Sequence, residues 1–129
     1  MKTKILFLGF LALFFSNSNA ETWSMNYCKN VSAQVNSNLP MNVDSVTDLI
    51  NTFCLPTKYG PEFNYKYTVD DSIELIPDAQ RDTVMRTWCT TPDLMDMLKG
   101  LSGVRFSYYQ TNGNFVGVVS FSYKTANNR

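Results

Sequence analysis

The sequence predicts an α+β domain: a four-stranded antiparallel sheet with helices packed on one face, in the order helix, two strands, two helices, two strands. Three observations predict it. In "EFNYKYTV", Phe63, Tyr65, Tyr67 and Val69 alternate with Asn64, Lys66 and Thr68, the period of a half-buried strand. In "IPDAQRDTVMRTWCTTPDLMDMLKG" the period lengthens, with Val84, Met85, Trp88 and Cys89 on one helical face and Leu94, Met97, Leu98 and Leu101 on the next. "VRFSYYQTNGNFVGVVSFSY" then returns to period two on either side of Asn112-Gly113, a pair that supplies the positive φ angles of a tight hairpin turn.

The elements follow in order. Lys2 and Lys4 precede the apolar run "ILFLGFLALFF", and "SNSNA" ends in a small-x-small pattern at Ala20. That is the layout of a secretory signal peptide over residues 1–20, with cleavage after Ala20. The run is shorter than the roughly 20 apolar residues that a spanning helix needs. No cysteine follows it directly, so no lipid anchor is expected. Residues 21–129 then form a single α+β domain, periplasmic or secreted, with no stable membrane insertion once the leader is removed.

"TWSMNYCKNVSAQVNSNLP" reads as the first helix, because Trp23, Tyr27, Val31 and Val35 recur every four residues. Asn36, Ser37, Asn38 and Pro40 end it. "MNVDSVTDLINTFCLP" carries β-branched residues in a weak alternation and reads as one strand. It should pair antiparallel with "EFNYKYTV" across the "PTKYGP" loop. Thr91-Pro92 is an N-cap and first-turn pair that starts a separate short helix, and Gly100 or Gly103 stops it. In the closing hairpin Val104, Phe106 and Tyr108 share a face, Tyr109 takes the other, and Gly117 leaves room for a bulge or a close helix. Val84, Met85, Trp88, Leu94, Leu98, Phe106, Val119 and Phe121 should be buried.

Composition excludes more than it proposes. Eleven basic residues balance eleven acidic ones, and losing Lys2 and Lys4 leaves the mature chain slightly acidic. Nucleic acid is not an expected partner, since its capture needs a basic patch. The chain has no histidine, which removes His-activated Ser or Cys nucleophiles and the commonest neutral metal ligand. No phosphate loop or zinc-type cysteine spacing appears, and no cofactor or metal is expected. Asp93 and Asp96 lie three apart on one helix side, where dipole stabilisation and solvation explain them better than acid–base work does.

Three cysteines remain, and they allow three single pairings. Export to an oxidising compartment favours a disulfide over a reactive thiol. Cys28 on the first helix and Cys89 on the second should share one sheet face, so Cys28–Cys89 is the expected bond and Cys54 the odd residue. The competing chemistry is a thiol enzyme using Cys89 or Cys54: Arg86 lies one turn before Cys89 and a helix start lies just after it, both of which lower a thiol pKa.

Two stretches, "NLPMNVDSVTDLINTF" with "EFNYKYTV" and "VMRTWCTTPDLMDMLKG" with "VRFSYYQTNGNFVG", carry a resemblance. Through Leu39-Pro40, Val43-Asp44, Thr47, Cys89-Thr90, Pro92, Gly103, Tyr108 and Gly113, the chain resembles small exported bacterial proteins and lipoproteins of unassigned function. The order of Cys, helix, Tyr strand and Gly turn is similar, more faintly, to the secretin pilotins of type II secretion. That resemblance implies an α+β domain gripping a helix of another protein. The expected function is therefore a non-enzymatic protein binding another protein, with a periplasmic immunity protein against a secreted toxin as the second reading.

Overall fold

The structure is a computed structural model and describes residues 22–127. The expected signal peptide, residues 1–20, lies outside them. The elements are α1 (Met25–Asn36), β1 (Met41–Asp44), β2 (Thr47–Thr57), β3 (Gly60–Val69), α2 (Asp78–Thr90), α3 (Pro92–Gly100), β4 (Gly103–Gln110), β5 (Phe115–Phe121) and α4 (Tyr123–Asn127).

The sheet has five strands in the order β1-β2-β3-β4-β5, and β3 runs parallel to β4. The expectation of four antiparallel strands is therefore corrected twice, although the class remains α+β. First, residues 41–56 are not one strand. The Asp44 carboxylate accepts the Val46 N–H at 2.9 Å, an Asx turn that folds the segment into the β1–β2 hairpin. Second, two helices lie between β3 and β4, and they return the chain to the start of β3, so that Glu62 stands opposite Gly103. A crossover of this kind is what a parallel pair requires. The other pairs, β1–β2, β2–β3 and β4–β5, are antiparallel.

The alternation of β2 is weak because the strand is bulged. Leu49 pairs with Tyr67 but Asn51 pairs with Lys66, leaving Ile50 as the extra residue. The inward set therefore changes phase, from Thr47 and Leu49 to Thr52 and Cys54, while β3 keeps Phe63, Tyr65, Tyr67 and Val69 inward throughout. A single extra residue moves every later side chain to the other parity.

Helices α1 and α2 pack on this same inward face. Trp88 of α2 lies edge-on to Tyr65, Phe106 and Phe121, with centroids 6.3, 5.8 and 6.1 Å away. The parallel register stacks Tyr65 on Phe106 at 4.8 Å and Tyr67 on Tyr108 at 4.9 Å. Of the eight residues expected in the core, seven are buried and Met85 is half-buried. In α1 the buried set is Cys28, Val31, Ser32 and Val35, while Tyr27 is 41% exposed. A strict spacing of four drifts around a helix of 3.6 residues per turn, and Tyr27 falls off the stripe at its edge. Its ring instead meets Trp23 at 4.7 Å.

Thr91 does stand before Pro92 at the start of α3 in extended conformation. Its hydroxyl, however, donates back to the Thr87 carbonyl at 2.7 Å and caps no N–H of α3. Among the described residues, no helix is long and apolar enough to cross a membrane.

Candidate functional site: an apolar cleft over the tyrosine stack

The cysteines are placed differently from the expectation. Cys28 is bonded to Cys54, with Cα atoms 6.2 Å apart, so the expected Cys28–Cys89 bond is corrected. The physical reason is the bulge in β2: it turns Cys54 inward beneath α1, which crosses that strand. Cys89 sits half-buried on α2 against the core. In this state the Cys54 thiol is committed to the disulfide and is no nucleophile. Arg86, the cation proposed to activate Cys89, lies exposed. Asp96 faces Lys99 at 3.9 Å on the surface of α3, and Asp93 sits in the first turn of that helix. Among the described residues no three Cys, Asp or Glu side chains converge on a metal position.

The geometry points elsewhere, to a cleft of about 150 Å³ at one end of the sheet. Its floor is the ring pair of Tyr67 and Tyr108, from the parallel strands β3 and β4. One wall is Val46 and Thr47, the residues that leave the β1–β2 turn. The facing wall is the 70–77 loop, which brings Ile73, Leu75 and Ile76 over the sheet. Pro77 then starts α2, and Gln80 closes the rim from its first turn.

Local bonds hold the loop in place. Gln110 donates from its side-chain amide to the carbonyls of Asp71 and Ile73, at 3.1 and 2.9 Å. The Asp71 carboxylate accepts from the Thr111 hydroxyl at 2.6 Å. The loop is thereby tied to the Asn112-Gly113 hairpin that ends β4. Gly117 on β5 makes the close approach possible: a Cβ there would meet Ile76 Cγ1 at 3.3 Å and the Arg81 guanidinium at 3.6 Å. Arg81 uses the same gap to donate to the Val118 carbonyl.

Two polar atoms beside this apolar space are buried and make no hydrogen bond among the described residues: the Tyr108 hydroxyl and Asp44 Oδ2. Burial raises the Tyr108 pKa well above the ordinary tyrosine value, and the Asp44 carboxylate raises it further, while Arg81 opposes the rise. The phenol is thus held neutral, able both to donate and to accept. Sequence reasoning put Tyr108 on one face with Phe106, opposite Tyr109, but had no signal for the cleft. Its walls come from the β1–β2 turn and from the 70–77 loop, segments outside the periodic elements.

A second, shallower groove runs between α1 and β2, along Lys29, Ala33 and Phe53. It lies over the disulfide. The outward sheet face carries Lys66 4.9 Å from the Tyr109 ring centre and an Arg105–Glu62 pair at 3.4 Å.

No family model matches the chain, and no curated protein matches it by sequence. Solved structures do match. A pilotin of the type 2 secretion system of Vibrio vulnificus, EpsS, superposes with a TM-score of 0.62 at 12% identity, over 79% of this chain and 90% of that one. Its fold is shared. The type II secretion pilotin AspS from Vibrio cholerae gives a TM-score of 0.53 at 11% identity, over 92% of this chain and 98% of that one. A Pseudomonas aeruginosa protein described as secreted gives 0.64 at 14%, over 79% and 91%. At such identities the likeness is one of fold.

Proposed function

We propose that the protein acts outside the cytoplasm as a non-enzymatic accessory of a secretion system, and that it works by binding another protein. The observation that carries this reading is the likeness of fold to two type II secretion pilotins, which covers 90% and 98% of their chains. The Cys28–Cys54 bond supports an oxidising location. The apolar cleft, rimmed by an exposed Leu75, supports protein binding, because a concave apolar site with few polar groups is where an anchor side chain is received.

Cross-linking in living cells tests the proposal. A photoreactive residue at Leu75 or Gln80, on the cleft rim, should capture a component of the secretion apparatus in the cell envelope. The same residue placed at Lys29, on the α1 groove, should not. Capture from both positions alike, or from neither, rejects this reading.

A further inference from the structure

We propose that the cleft is built for one phenol ring, supplied as a tyrosine side chain of the protein partner, so the inference rests on the protein-binding reading above. Size comes first. A cavity of about 150 Å³ lined by apolar side chains accommodates benzene in a well-studied engineered protein, and the cleft here has about that volume. Its floor is the stacked ring pair of Tyr67 and Tyr108, against which a third ring packs favourably edge to face. Ile73 and Ile76 close over it. A Ser or Thr side chain would leave most of this space empty.

Polarity comes second. Asp44 Oδ2 is a buried acceptor with no donor, and the Tyr108 hydroxyl is a buried donor with no acceptor. Asp44 is joined to the cleft wall, pairing with Thr47 across the turn and holding the Val46 N–H. Leaving two such groups unmet is costly. Tyr108 lines the cleft, so a neutral hydroxyl on the guest accepts from it and carries no charge to oppose the nearby Asp44 carboxylate. A carboxylate is repelled by Asp44, and a cation meets apolar walls with the Arg81 guanidinium near Gly117. An unsubstituted ring leaves the Tyr108 hydroxyl unmet.

The test is a titration of the exported protein, followed by amide chemical shifts, with p-cresol, toluene and N-acetyltyrosinamide. Saturable shifts are expected at Val46, Thr47, Tyr108 and the 70–77 loop. p-Cresol should bind about tenfold tighter than toluene, as one hydrogen bond network would give. Tyr108→Phe, which keeps the ring, should erase that preference while toluene binding persists. Val46→Phe narrows the cleft and should abolish all three. Leu75→Glu, at an exposed position, should weaken them without disturbing the fold and replaces Val46→Phe if that variant misfolds.

Absence of saturable shifts means that the cleft takes no aromatic guest and overturns the proposal. Equal affinity for toluene and p-cresol also overturns it, as does a preference that survives Tyr108→Phe. Binding of p-cresol without N-acetyltyrosinamide assigns the cleft to a free phenol and overturns the side-chain source. None of these outcomes depends on capturing the partner, so the two readings fail separately.

Discussion

The pairing of Cys28 with Cys54 decides what the third cysteine can do. The bond closes a loop with a sequence separation of 26, for which the chain-entropy argument gives roughly 3–4 kcal/mol before strain. Replacing both residues with Ala should lower stability by about that amount in denaturant melts, whereas Cys89→Ala should cost only about 1 kcal/mol, the usual size at a half-buried site. Peptide mapping without reduction should recover Cys28 linked to Cys54; a Cys28–Cys89 peptide would show that the fold is pinned elsewhere. Trp88 makes the complementary case in the core. Truncating it to Ala should cost about 3–5 kcal/mol, since it touches three rings on three strands. Its indole N–H is buried with no acceptor among the described residues, so Trp88→Phe removes an unmet donor along with the lost volume. Less than half the Ala penalty is expected. If Phe costs as much as Ala, the indole nitrogen has a role that this geometry does not provide. The core position of Trp88 was legible from helical spacing alone, whereas the cysteine pairing was not, because three cysteines fit three pairings until the bulge in β2 is known.

At the scale of elements, the open side of β2 is the exposed weakness of the sheet. β1 pairs only with Thr47–Leu49, and among the described residues no strand pairs with β2 on that side beyond that point. Asn36, at the last turn of α1, stands in for one: its Oδ1 accepts the Thr52 N–H at 2.8 Å and its Nδ2 donates to the Thr52 carbonyl at 2.9 Å. Ser32 adds a second donor to that carbonyl at 2.9 Å. A side-chain amide thus repeats the pairing of a backbone peptide and blunts an edge that invites self-association. Asn36→Ala should cost about 1–3 kcal/mol by stranding the Thr52 N–H. It should also make sedimentation concentration-dependent, and a variant that stays monomeric at all concentrations would show that the edge is protected by other means. Sequence patterning found β3, the C-terminal hairpin and all three longer helices, because most of each follows one period, the bulge near Val116 and the drift at Tyr27 falling only at the ends. It merged β1 with β2 because the turn between them, Ser45-Val46, holds no Gly or Pro and the bulge at Ile50 blurs the alternation that follows. The parallel centre was illegible for another reason: which end of a sheet a helical pair returns to depends on packing between elements far apart in sequence.

At the scale of the whole molecule, titration separates this protein from most of its size. With no histidine in the chain, no imidazole titrates between pH 5 and 8, and stability should be nearly flat from about pH 6 to pH 8. The acid limb includes Asp70, whose carboxyl is held below its ordinary value by the Ser72 hydroxyl and then by the Ser72 N–H. That contribution is present above the ordinary carboxylate range and is lost as pH falls through the lowered folded value. The alkaline limb is the distinctive one. Burial raises the pKa of Tyr65, Tyr67 and Tyr108 above the ordinary value, and for Tyr67 the neighbouring Tyr108 adds to the effect. In the unfolded chain these phenols ionise near pH 10, while in the folded protein they remain protonated. Above that pH the unfolded state binds fewer protons, so stability is fully present below about pH 10 and falls as pH rises. Each tyrosine contributes a slope of about 1.4 kcal/mol per pH unit, and the three together should give a steep, cooperative alkaline unfolding. Denaturant melts at pH 8, 9.5, 10.5 and 11.5, read beside phenolate absorbance, measure both quantities. The three core phenols should ionise only as the fold is lost, in one step. If they titrate independently near pH 10 while the protein stays folded, the stacked tyrosines lie open to water, and with them the floor of the cleft.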